Sequence, residues 1–137
     1  VLFRSCFRLN LTSDVKWERI KFHGKNIFDS FPEIQFYDYT KSYSRLSLGI
    51  SNYHLTFSRA ETELNHLQCR LAMKERHNVA AVFSTKKANL LPTEYLGLQV
   101  IDGDKDDLRF LDPTGVIVGL RAKGPARRDT SGFVIHV

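Results

Sequence analysis

Four stretches of this chain end an apolar run on side chains that can bind or move charge: Asn10 to Asp14, Asp38 to Lys41, Ser58-Arg59, and Asp102 to Asp104. Arg59 offers a planar fork of donors suited to phosphate or carboxylate, and Lys41 adds a second cation. Ser58-Arg59-Ala60-Glu61 has the S-x-x-E spacing of a capping box, which predicts a helix amino terminus beside Arg59, where backbone N–H groups favour an anion. Asp14, Asp38, Asp102 and Asp104 supply carboxylates for general acid–base work or for a divalent cation. Asp38 stands out, because it sits inside the aromatic strand Ile34-Gln35-Phe36-Tyr37-Asp38-Tyr39 and needs a partner if buried. The candidate catalytic residues are therefore Asp38 and Asp14. The candidate ligand-binding residues are Asn10, Lys41, Ser58, Arg59, Asp102 and Asp104. The structural alternative is that the same groups only cap helices and pair with one another to hold loops.

Other residues carry weaker chemistry. Asp102, Asp104 and Asp106 alternate as in a calcium loop, but Asp107 and Pro113 stand where its glycine and glutamate belong. The five histidines show no metal-ligand spacing, and no metal ligand is assigned. Cys6 and Cys69 form no C-x-x-C pair, so both read as buried thiols of a reducing compartment. Lys123, Arg127 and Arg128 form a basic loop that can neutralise phosphates. With Tyr37 and Tyr39 on an open sheet, that loop supports a second reading, a non-enzymatic nucleic-acid-binding module.

The elements that must position these groups follow from pattern. Phe7 to Leu11 reads as a strand, and Trp17 to Phe22 as a helical turn. Asn26 caps a short helix that Pro32 stops. Tyr53 to Phe57 and Val79 to Phe83 read as strands. Between them Ala60, Leu64, Leu67 and Leu71 recur at helical spacing and predict a helix from about Ala60 to Arg76 that turns this face to the core. Strand, helix, strand predicts parallel pairing with a right-handed crossover. Leu98 to Ile101, Val116 to Leu120 and Gly132 to Val137 are further strands. The last two can form an antiparallel hairpin, and Leu108, Phe110 and Leu111 are the inner residues of the acidic stretch before them.

The expected fold is α/β, a mainly parallel sheet of βαβ units resembling part of a (β/α) barrel, in one domain over residues 1–137. Parallel strands bring their carboxyl ends to one edge, so the polar strand ends should meet there. Hydrophobic residues make up 42% of the chain and charged residues 26%, which excludes a disordered chain. The net charge of +5 permits an anionic partner without requiring one. No apolar run reaches the roughly 20 residues of a membrane span, and Arg4 and Arg8 interrupt any signal-like start; a cytoplasmic location follows as the expectation. Val1-Leu2-Phe3-Arg4-Ser5 matches a conceptual translation of a common sequencing adapter, so residues 1–5 are set aside and a truncated amino-terminal part is expected.

Several phrases resemble one family. Arg8-Leu9-Asn10 with Thr12-Ser13-Asp14, Phe36-Tyr37-Asp38-Tyr39-Thr40-Lys41, Leu55-Thr56-Phe57-Ser58-Arg59, Val100-Ile101-Asp102-Gly103-Asp104 and Leu108-Arg109-Phe110-Leu111-Asp112-Pro113 are similar to the carboxyl-terminal half of uncharacterised phage and prophage proteins of the gene product eighty-eight type. The resemblance brings no activity with it. It implies a phage-type protein in a host cell. Longer members look to have a cysteine-containing amino-terminal segment suggesting an iron–sulfur or other metal cluster, which would lie outside this chain. The leading expectation is an anionic ligand, phosphate- or carboxylate-bearing, held at the carboxyl edge of the sheet, in what would be the carboxyl-terminal half of an enzyme. The competing expectation is nucleic acid on the 121–128 loop.

Overall fold

Parallel pairing dominates the sheet. The computed structural model describes residues 5–85 and 89–137. Val1–Arg4 lie outside them, and with them most of the adapter-like stretch; Ser5 is exposed, and its carbonyl accepts the Gln35 N–H. Among the described residues the strands are β1 (Cys6–Arg8), β2 (Gln35–Thr40), β3 (Tyr53–Ser58), β4 (Val79–Ser84), β5 (Glu94–Tyr95), β6 (Leu98–Asp102), β7 (Ile117–Arg121) and β8 (Val134–His136). Two α-helices, α1 (Ile27–Ser30) and α2 (Glu63–Lys74), join them. The spatial order is β1-β2-β3-β4-β7-β6-β5, and β8 also pairs with β4. The β3–α2–β4 unit is parallel as expected, with Phe57 beside Val79 and Ser58 beside Ala80.

β4 is shared in an unusual way. Its first two residues pair with β3, and its last three, Val82 to Ser84, pair in parallel with Val134 to His136 of β8. β3 and β4 diverge, and β8 enters the gap. An antiparallel hairpin is present, but its arms are β5 and β6, with Glu94 opposite Gln99. Val116 to Leu120 and Gly132 to Val137 are not its arms, because β8 joins β4 rather than β7.

The core explains why the helix face was misread. Phe57, Cys69, Ala72, Val79, Ala81, Phe83 and Ile117 form one buried cluster, and Phe28, Phe36 and Tyr53 a second. α2 buries Asn65, Cys69 and Ala72, small or polar residues that let it lie close to β3 and β4, while Leu64, Leu67 and Leu71 face outward. The three leucines of the predicted apolar face are thus exposed, while its first member, Ala60, is buried ahead of the helix. The capping box is also absent. Thr62 caps α2, its hydroxyl accepting the Asn65 N–H, and Arg59 to Thr62 form the short connection from β3 to the helix. Asn65 ties that connection down: Oδ1 accepts the Ala60 N–H at 2.7 Å and Nδ2 donates to the Ser58 carbonyl at 3.1 Å. Asn26 does cap α1, as its spacing predicted.

Three more expectations change. Cys69 is buried, whereas Cys6 is exposed. In the acidic stretch Arg109 is buried and Leu111 is exposed. Asn78 does not end α2, which stops at Lys74; its amide instead donates to the Pro113 carbonyl and accepts from Gly115 and Val116 N–H groups, tying the start of β4 to the start of β7. Gly103 follows from the Arg109 burial. A Cβ there would sit 2.5 Å from Val118 Cγ1 and 2.9 Å from Arg109 Nη1, so only glycine lets that guanidinium pack against the strand end.

Candidate functional site

The carboxyl ends of the strands enclose a cleft of about 730 Å³. Asn10, Asp14, Lys41, Ser58, Arg59 and Asp104 all line it, as do Arg8, Arg121 and Lys123. Its apolar surface includes Val82, Leu120 and Phe133. Asp38 and Asp102 are not in its wall; each lies behind it and holds a neighbour that is. Parallel register accounts for the convergence. Thr40 pairs with Phe57, so Lys41 and Ser58 follow as neighbours, and the Arg59 N–H bonds to the Ala80 carbonyl.

Asp38 is fully buried and organises the β1 end of the cleft. One carboxylate oxygen accepts the Asn10 N–H at 2.6 Å. The other accepts the Tyr53 hydroxyl at 2.7 Å and the Asn10 amide at 3.2 Å. Burial pushes its carboxyl above the ordinary range, and the hydrogen bonds from Tyr53 and Asn10 oppose that rise. Asn10 in turn accepts from Ser13, Val15 and Trp17, which fixes the 10–17 loop. These bonds occupy Asp38 in holding the loop, and it has no face toward the cleft.

Asp14 is held from three sides. Its carboxylate accepts the Thr40 hydroxyl, the Lys41 N–H at 2.8 Å and the Arg45 guanidinium. Arg45 is 3% exposed, and its Nε and Nη2 form a two-pronged pair with Glu18 at 3.0 and 2.8 Å. Nη2 also donates to the Tyr53 hydroxyl at 3.0 Å. Tyr53 joins the two carboxylate systems into one network, and burial and the neighbouring Asp38 push its hydroxyl pKa well up.

The opposite wall is built differently. Arg121 pairs with Asp102 at 2.8 Å and with Asp104 at 3.1 Å, and Lys123 pairs with Asp104 at 2.7 Å. The Arg121 hydrogen bonds hold the Asp102 carboxyl below its ordinary range. Partial burial opposes the same shift at Asp104, but the bonds from Lys123 and Arg121 outweigh it. Arg8 pairs with Asp107 at 3.2 Å and lies 4.8 Å above the Tyr39 ring. Among the described residues lining the cleft, Lys41 and Arg59 are the cations with no carboxylate in salt-bridge range. Arg59 Nη1 donates to the Gly132 and Phe133 carbonyls at 2.9 Å, bracing the entry to β8.

The remaining predicted groups fall elsewhere. Lys123 belongs to the ion cluster, while Arg127 and Arg128 are exposed in a 3-10 turn on the rim, Gly124–Arg128. Tyr37 is buried against Phe110, 5.5 Å between ring centres, so it is not on an open binding face. No group of three or more potential metal ligands occurs among the described residues. Nor is any described helix long and apolar enough to cross a membrane. Sequence reasoning missed Glu18, Arg45 and the Tyr53 hydroxyl, which no local pattern marks. It also missed Arg121, although that residue ends an apolar strand much as Lys41 follows one.

A family model described as Gene product 88 matches residues 2–137. No curated protein and no solved structure matches.

Proposed function

The chain belongs to the gene product 88 family, and we propose that it binds a small anionic ligand, phosphate- or carboxylate-bearing, in the cleft at the carboxyl ends of its strands. One observation carries the reading. Lys41 and Arg59 flank Ser58 on adjoining strand ends and have no carboxylate partners among the described residues, while the other cations of the cleft are neutralised by their own acids. An anion entering there gains charge-assisted hydrogen bonds without having to displace an internal ion pair. The mechanism differs from the one expected of a helix amino terminus, since α2 begins at Glu63, beyond the strand end. Side chains, not helix dipole, would hold the ligand. Asp14 acts by holding the Lys41 backbone in place, and Asp38 by holding the loop that forms the neighbouring wall. The apolar patch of Val82, Leu120 and Phe133 would receive the uncharged body of the ligand.

Lys41→Ala is the clean test, because the exposed Lys41 side chain makes no described hydrogen bond, whereas Arg59 also braces β8. Calorimetric titration with phosphate and with phosphorylated small molecules should show binding to the intact chain. Lys41→Ala should weaken it by about 1.5–3 kcal/mol, the scale of a hydrogen bond to a charged group, with unchanged melting temperature. Equal affinity in the variant, or no uptake of any anion by the intact chain, would remove the basis for the assignment.

A further inference from the structure

We infer that the outward face of α2 is a self-association surface, pairing with the same helix of a second copy in antiparallel orientation. Leu64, Leu67 and Leu71 are 64, 49 and 39% exposed, and their spacing of three and four residues aligns them along one stripe. Isolated surface leucines are ordinary, but three in line on a single helix form a continuous apolar strip. It is not needed for the core, because Asn65, Cys69 and Ala72 fill that role on the opposite side of the helix.

The charges beside the stripe identify the occupant. At 100° per residue, Glu63, Arg70 and Lys74 share one flank of the leucine line, with the acid in the first turn and the bases in the last two. None of the three takes part in an ion pair or side-chain hydrogen bond among the described residues. A two-fold axis across the stripe turns one helix antiparallel to the other. Leu64 then meets Leu71 of the second copy, the central leucines meet each other, and Glu63 faces the basic end of its counterpart twice over. Antiparallel helix dipoles add to the match. In a parallel pair this flank would face the opposite flank of the second copy, so Glu63 could not reach the Arg70 and Lys74 of its counterpart. The strip is self-complementary in both apolar surface and charge, as an isologous contact requires. α2 has 12 residues and is about 18 Å long, so it buries less than the roughly 1,200 Å² of a stable interface, and the dimer is reversible and concentration-dependent.

Sedimentation velocity over a concentration series reads this directly. The weight-average mass should climb from 15.8 kDa toward twice that value as concentration rises into the high micromolar range. Leu67→Glu should hold the chain at monomer mass with an unchanged circular dichroism spectrum. Glu63→Lys makes the flank all basic, and Arg70→Glu with Lys74→Glu makes it all acidic. Each should lose self-association by roughly tenfold or more, and an equimolar mixture of the two should associate again. A chain that stays monomeric throughout would overturn the inference. So would a dimer that survives Leu67→Glu, or a charge-swapped mixture that associates no better than its components.

Discussion

On the β1–β3 side of the cleft, Arg45 is buried between Asp14 and Glu18 and reaches Tyr53, which hands the network on to Asp38 and Asn10. On the β6–β7 side, Arg121 and Lys123 are held by Asp102 and Asp104 at the surface of the cleft. Both clusters pair acids with bases, yet they leave the cleft with different surfaces. The buried cluster satisfies Asp14 from within, through an arginine that never reaches the cleft, and Lys41 keeps its charge free. The half-exposed cluster consumes its own cations. On the proposed reading, attraction for an anion belongs to the wall whose arginine is buried away from the cleft, and charge composition alone would not locate it.

The contrast should appear first in stability. Arg45→Met leaves Asp14 and Glu18 without their buried partner and should cost about 3–5 kcal/mol in urea unfolding. Arg121→Met should cost only about 1 kcal/mol, an amount that shrinks with added salt, because its partners remain in contact with water. Equal losses at the two arginines would erase the distinction between the walls. A smaller effect is expected at the link between the two carboxylate systems. Tyr53→Phe strips one donor from Asp38 and one acceptor from Arg45, and should destabilise by about 1–3 kcal/mol. A neutral result would mean that the two systems stand independently.

The finest discrimination is by pH. Asp102 and Asp104 titrate below the ordinary carboxylate value in the fold, so the stability they contribute is present above pH about 4 and is lost as pH falls through their depressed values. Asp38 titrates above it. Its contribution is complete below pH about 4 and declines as pH rises through the raised value. Removing Arg121 should flatten the acid limb of the stability profile, and Asp38→Asn should flatten the opposing slope. Melting curves across pH 2.5–7 measure both. A single common slope in all variants would show that the two carboxylate environments do not differ.

Much of this arrangement could be read from the chain. Apolar runs with polar ends become parallel strands, and parallel strands gather their ends on one edge; this is why Asn10, Lys41, Ser58 and Arg59, spread over 50 positions of sequence, share a cleft. Local pattern failed where the cause was not local. Leu64, Leu67 and Leu71 have the spacing of a core face, but close approach of α2 to β3 and β4 favours Cys69 and Ala72 instead. No local pattern marks Arg45 or Arg109 as buried, since a buried guanidinium is recognised only from partners distant in sequence, such as Glu18 for Arg45. The site of β8 has no signature either, because parallel pairing with β4 is set by a gap between two other strands.

That gap bears on the order in which the cleft can be completed. Val134 to His136 pair with Val82 to Ser84, and the Gly132 and Phe133 carbonyls receive Arg59 from more than seventy residues earlier. β8 follows every other described strand in the chain, so on a translating ribosome β3 and β4 emerge and pair while the end of β4 is still bare. Until β8 arrives, that length of backbone is an open edge with an apolar flank, the kind of surface on which nascent chains associate wrongly. Pairing across such long separations is also slow. The wall formed by Phe133 and the braced Arg59 is thus the last part of the pocket to be built, and release of the chain before residue 134 would yield a nearly complete sheet unable to finish its own cleft.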